Sequence, residues 1–274
     1  MMTLDWQAGR GWLHAGGKRL EWGAWGPGPD TAPSIVLLHE GLGCLGLWRD
    51  FPQRLAAATG FGVFAWSRAG YGQSDPADLP RTIDYMTREA VDVLPQVLDA
   101  MGFWRGVLMG HSDGATIAAE YAGRVADHRV RGLVLMAPHF FCESMGLESI
   151  SEARRAFDSG GLRERMARWH RDADHTFRGW NDAWLNPDFA AWNVAEVIDY
   201  LRVPALAIQG RQDQYGTLAQ IDALETRSYA PVETLILDDC RHAPHQEQPE
   251  AVLEGVAAFT ARLERIEAEV VPTG

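Results

Sequence analysis

The chain has 274 residues, 46% hydrophobic and 23% charged, the balance of a globular protein with a full core. One parallel sheet can organise about 250 residues, so a single α/β domain carrying an insertion accounts for this length as well as two small domains do. The formal charge of −12 repels phosphate backbones and anionic lipid, so neither nucleic acid nor a membrane surface is an expected partner.

Met1-Met2-Thr3-Leu4-Asp5-Trp6 holds no basic stretch followed by an apolar run, so no secretory signal is expected there. No segment approaches the roughly 18 apolar residues of a membrane span. Cys44, Cys142 and Cys240 are odd in number and far apart, which reads as free thiols in a reducing cytoplasm. No pair of them has zinc-ligand spacing, so no metal is expected.

Residues 11–25 alternate around Gly16-Gly17 and predict an opening β-hairpin. Ser34-Ile35-Val36-Leu37-Leu38 is a continuous apolar run ending in His39-Glu40-Gly41, the pattern of a strand buried on both faces with a glycine-rich loop at its carboxyl end. Helical spacing over 48–59 leads to a second buried strand at 61–66 and a turn-rich loop from Ser67 to Pro76. A helix over 82–101, a strand over 104–109, a helix over 113–126 and a strand over 131–136 follow. Such alternation predicts a mostly parallel, doubly wound α/β sheet with helices on both faces.

The alternation fails between His139 and Arg202, where helical patterns and Trp169, Trp180, Trp184 and Trp192 replace it. It resumes with a strand at 203–209, a helix at 217–228, a strand at 232–237 and a last helix at 249–269. The expected organisation is therefore a core of 1–138 and 203–274 with a helical lid inserted at 139–202, above the carboxyl edge where pockets of such sheets open. Extra helices packed on the side of the domain are the alternative.

Gly110-His111-Ser112-Asp113-Gly114 lies between a predicted strand and a predicted helix. A serine on that tight turn is pushed out above the sheet, flanking glycines remove side chains that would clash, and the helix offers its positive end to a developing oxyanion. An ordinary helix-capping serine is the competing reading. A serine hydroxyl needs a base, and the expected chain order in this arrangement is serine, acid, histidine. Asp213 follows the strand at 203–209 and His242 follows the strand at 232–237. His245 competes with His242 but lies nearer the final helix; Asp238 and Asp239 compete with Asp213 but suit turn positions. The backbone N–H of Asp113 is the first expected oxyanion donor, and the loop His39-Glu40-Gly41-Leu42-Gly43 is to supply the second.

With Ser67-Arg68-Ala69-Gly70-Tyr71-Gly72-Gln73-Ser74-Asp75, Gly210-x-x-Asp213 and His242-x-Pro244-x-x-Glu247-x-Pro249, these motifs resemble the α/β-hydrolase superfamily, in its branch of esterases, meta-cleavage-product hydrolases and haloperoxidase-like enzymes. The resemblance implies a cofactor-free hydrolase with nucleophile, acid and base at Ser112, Asp213 and His242, and the second oxyanion donor at Gly41. One departure stands out: that family usually has His-Gly at the oxyanion loop, and Glu40 occupies the glycine position. Its carboxylate either points away into structural hydrogen bonds or sits near the substrate. Trp48, Phe140, Trp180 and Trp184 are candidate walls of an aromatic or acyl pocket, with plain packing as the alternative.

The expected reaction is hydrolysis of a carboxylic ester, thioester or lactone on a small molecule of acyl or aromatic character. Carbon–carbon bond hydrolysis of a ring-cleavage product, and a ligand receptor on the same fold with little turnover, are the rivals. The apolar surface of the insert leaves internal burial and a homodimer both open.

Overall fold

In the computed structural model, which describes residues 4–270, β1 (Arg10–Ala15) and β2 (Lys18–Trp25) pair antiparallel across Gly16-Gly17. Both glycines have positive φ, +57° and +71°, the backbone that a two-residue hairpin turn demands. Six further strands follow: β3 (Ser34–Leu38), β4 (Gly62–Trp66), β5 (Gly106–His111), β6 (Val130–Met136), β7 (Ala205–Gly210) and β8 (Val232–Leu237). They form one sheet in the order β1-β2-β4-β3-β5-β6-β7-β8, in which β3 to β8 are parallel and β2 meets β4 antiparallel.

The central strands are apolar throughout because both of their faces are covered. Ile35 and Leu37 of β3 join Val63, Ala65, Val134 and Met136 in one core, on which α1 (Phe51–Thr59) and α10 (Pro249–Val270) pack. Val36 and Leu38 point the other way, into a larger core shared with α3 (Leu94–Ala100) and α4 (Asp113–Arg124). The period-two geometry of a strand makes this division. The expected helix over 82–101 is broken into α2 (Tyr85–Arg88), a π-helical turn (Glu89–Val93) and α3. Pro95 explains the break, since it lacks the amide that a regular helical turn would use.

Between β6 and β7 the chain adds no strand to the sheet. It forms α5 (Ser144–Asp158), α6 (Gly161–Met166), α7 (Ala173–Trp184) and two 3-10 turns, Pro187–Ala191 and Ala195–Tyr200. This insert is tied to loops at the sheet's carboxyl edge: Thr176 donates to the Gly70 carbonyl, and the Arg171 amide donates to that of Gly72. Buried His170 accepts from the Gly72 amide and donates to the Leu42 carbonyl, so it joins the insert to two loops at once. After β7 come α8 (Ala219–Arg227) and, after β8, the short α9 (Pro244–Glu247) and α10. Among the described residues no helix is long and apolar enough to cross a membrane.

The chain leaves β3 toward β4 on one side and returns to β5 on the other. The loops after β3 and β5 therefore diverge and leave a crevice at the carboxyl edge, where open α/β sheets bind ligands.

Candidate active site

Ser112 occupies the crevice as the one residue between β5 and α4, with φ 53° and ψ −120°. That backbone is disfavoured for a residue with a Cβ and persists only where its surroundings enforce it. A Cβ on Gly110 would lie 2.1 Å from the Gly114 carbonyl oxygen, and one on Gly114 would lie 2.0 Å from that of Leu38. The two glycines thus let the turn close on itself and on β3. Ser112 stands at the N-cap of α4, but its hydroxyl makes no capping hydrogen bond. The capping reading therefore does not describe it. Gly114→Ala is expected to cost about 3 kcal/mol or more, because the Leu38 and His39 backbone that its methyl would strike cannot yield. Gly161→Ala, with only the far end of Arg165 at 3.8 Å, is the near-neutral control in the same denaturation series.

The loop after β3 makes a turn in which the Gly43 amide donates to the Glu40 carbonyl. Buried Arg68, two residues after β4, donates to the carbonyls of His39 and Glu40 and so clamps that loop. Its guanidinium also lies 3.9 Å from the Asp113 carboxylate. The Asp113 side chain accepts from the Tyr85 hydroxyl at 2.5 Å, which in turn accepts from the Trp184 indole at 3.0 Å. Burial raises the Asp113 carboxyl above its usual value, against the pull of Arg68. As the first residue of α4, Asp113 has a backbone N–H without a carbonyl four residues back in the helix, so this donor is available to a ligand.

Asp213 and His242 meet. His242 Nδ1 lies 2.8 and 3.0 Å from the two Asp213 carboxylate oxygens. The carboxylate also accepts from the Tyr215 amide at 2.8 Å and from Gln209 at 2.8 Å. Burial opposes its charge, but His242 and the Tyr215 amide outweigh that cost and hold its carboxyl below the usual range. The competitors lie elsewhere. Asp238 pairs with Arg211 at the surface, Asp239 is a turn residue with φ 52°, and the His245 ring packs on Trp48 and Phe51.

Ser112, Asp113 and His242 line one cavity of about 90 Å³, closed from the insert by Ile150, Trp180 and Trp184. Glu40, Gly41, Leu42, His139 and Tyr215 complete its wall. No hydrogen bond between the Ser112 hydroxyl and the His242 ring is found among the described residues. Of the expected pocket residues, Glu40, Trp180 and Trp184 thus face the cavity. Trp48 and Phe140 do not: Trp48 stacks on Phe51 behind His245, and Phe140 is fully buried where its backbone is held by Gln220 and Val194. His139 and Tyr215 escaped the sequence reading. Their signal was position, since each follows a parallel strand as Ser112 and His242 do. Burial pushes His139 down to about 3, so it stands neutral beside His242.

A Cβ on Gly41 would lie 2.1 Å from Trp180 Nε1. Gly41→Ala is therefore expected to displace Trp180 and lower thermal stability, and adding Trp180→Ala to recover part of that loss in a double-mutant cycle.

A family model described as alpha/beta hydrolase fold matches residues 33–179, more than half of the chain. The chain belongs to the alpha/beta hydrolase fold family. Its match begins just before β3 and includes the loop of Glu40, the turn of Ser112 and most of α7. Among solved structures, this alpha/beta hydrolase chain is similar to the enol-lactonase of Burkholderia xenovorans LB400, at 19% identity and TM-score 0.72 over 92% of this chain and 100% of that one. It is similar also to the naproxen esterase of Bacillus subtilis, at 19% identity and TM-score 0.68 over 91% and 90% of the two chains. At such identities the likeness is one of fold. A comparison with curated proteins by sequence found no match.

Proposed function

We propose that this alpha/beta hydrolase is a serine hydrolase that cleaves a carboxylic ester, thioester or lactone through an acyl-enzyme. The observation that carries the reading is the pairing of His242 Nδ1 with the Asp213 carboxylate while His242 and Ser112 line the same cavity. In the proposed cycle His242 takes the Ser112 proton as the serine oxygen attacks the carbonyl carbon. The imidazolium then returns that proton to the departing alkoxide, thiolate or ring oxygen. A water, deprotonated by His242, releases the acid and restores the serine. The backbone N–H groups of Asp113 and Gly41 hold the oxyanion in both halves. Asp213 keeps the His242 proton on Nδ1, which leaves Nε2 free to act as base.

The similarity in fold to an enol-lactonase and a naproxen esterase supports an ester-like bond over other substrates. The cavity is small against the several hundred Å³ of typical ligand clefts, which supports a short acyl group next to Ser112. Larger substituents enter when the insert moves, and in this reading 139–202 is a lid over a core of 1–138 and 203–274. A fluorophosphonate probe tests the proposal: it is expected to label Ser112 alone, mapped by mass spectrometry. Parallel assays with short p-nitrophenyl esters and with a vinylogous 1,5-diketone acid are expected to favour the esters. Turnover of the diketone alone would move the reading to carbon–carbon hydrolysis; binding without turnover or labelling would move it to a receptor.

A further inference from the structure

We propose that Glu40 and His111 act as a positioning pair that anchors the backbone of His242, and so aims its imidazole at Ser112. This rests on the serine-hydrolase reading above. His111 is the last residue of β5, and its Nε2 lies 2.6 Å from the His242 carbonyl oxygen. A carbonyl only accepts, so Nε2 carries a proton. On the ring's other side Nδ1 lies 3.5 Å from Glu40 Oε2, within ion-pair reach but without a completed hydrogen bond, and no other group bonds it among the described residues. A neutral ring with its proton on Nε2 would turn a lone pair toward the carboxylate. The imidazolium turns an N–H toward it instead and makes the bond to the His242 carbonyl charge-assisted.

The surroundings agree. Burial alone would discharge His111, but Glu40, the His242 carbonyl and Asp213 outweigh it and hold the ring above its usual value. Burial likewise opposes charge on Glu40, and His111 holds that carboxyl well below its usual range. The other rings against His111 are those of His242 at 5.0 Å and His245 at 4.9 Å between centroids. Burial pushes His139 and His245 down to about 3, so neither competes for the charge.

Gly43 makes room for this arrangement, because a Cβ there would lie 2.3 Å from Glu40 Oε2. The carboxylate thus tucks under its own turn, beside the cavity it also lines. The His242 loop has a second anchor in Glu247, which accepts from the amides of Arg241 and Ala243. Glu247 holds the N–H groups on either side of His242, and His111 holds its carbonyl. The pair therefore ties the oxyanion loop, the nucleophile strand and the histidine loop together.

The test combines kinetics on a short p-nitrophenyl ester with histidine-ring NMR of the full chain. Glu40→Ala is expected to lower kcat about tenfold or more with KM within about twofold, and Glu40→Gln, which can donate to a neutral His111, to recover at least about threefold of that loss. The His111 ring is expected to titrate above the usual value of about 6.5, and at least about one pH unit lower in Glu40→Gln. His111→Phe is expected to match the kcat loss of Glu40→Ala, and the Glu40→Gln/His111→Phe double variant to be no worse than His111→Phe alone. Where Glu40→Ala does not fold, the His111 titration in Glu40→Gln and the double variant decide the matter. Wild-type kcat in Glu40→Ala or His111→Phe, a rise in KM alone, additive losses, or an unmoved His111 titration would each overturn the pair. The titration needs no turnover, so failed fluorophosphonate labelling of wild type would reject the serine-hydrolase reading separately.

Discussion

Ser112→Ala is expected to reduce ester turnover about 10⁴- to 10⁶-fold while leaving the fold intact. The magnitude follows from the loss of the attacking oxygen, because what then remains is water attacking a carbonyl held by the backbone donors alone. The fold is expected to survive for two local reasons. The Ser112 hydroxyl makes no capping bond to α4, so its removal leaves no amide newly unsatisfied. Alanine meets the same disfavoured backbone, φ 53°, that serine already tolerates there, so the strain does not change sides. Circular dichroism with thermal denaturation checks the second half of the expectation, and steady-state kinetics with fluorophosphonate labelling the first. A variant that keeps even a tenth of wild-type turnover would remove Ser112 from the chemistry.

Asp213→Asn is expected to have the next largest effect, about 10³- to 10⁴-fold in kcat. The amide presents an N–H where the His242 Nδ1 proton now lies. The imidazole then flips its proton to Nε2 or rotates away, and either leaves no base facing Ser112. KM is expected to change little, since Asp213 does not line the cavity. The same substitution has a signature in stability. The folded carboxyl is held below its usual value, so its contribution is full above the unfolded value of about 3.9 and is lost as the pH falls through the lower folded one. Wild type is therefore expected to lose stability over that acid interval more steeply than Asp213→Asn, as read from denaturation midpoints between about pH 5 and pH 2. Parallel curves for the two proteins would mean that Asp213 is not held charged by His242 and the Tyr215 amide.

The loops that carry this site are each short and each follow a strand. Ser112 comes directly after β5, Asp213 three residues after β7, and His242 five residues after β8. A continuous apolar run closed by glycine or a turn is visible in one dimension, and so is the change of period to a helix after Ser112. The Gly16-Gly17 hairpin was legible for the same reason, as was the failure of alternation after His139. The break within the helix predicted over 82–101 was not read, because the apolar spacing on either side of Pro95 runs on as one continuous helix.

What sequence could not decide was which members of a loop turn inward. His242 and His245 stand three residues apart; nearness to the strand end favoured His242, but only the folded loop turns its ring to Asp213 while that of His245 packs on Trp48. The two candidate roles of Glu40 likewise divided on side-chain direction, and the folded turn gives it both a cavity wall and His111 as a neighbour. Trp48 and Phe140 looked equivalent to Trp180 and Trp184 as large aromatics, yet only the last two reach the cavity, because the insert crosses the carboxyl edge there. Periodicity, glycine placement and strand-end position are properties of short segments, so the chain's own order determined the sheet, the strained turn at Ser112 and the loops bearing Asp213 and His242. The meeting of those loops, the clamp of Arg68, and the placing of Glu40 against His111 join residues from strands far apart in sequence, and only close packing of the folded chain decided them.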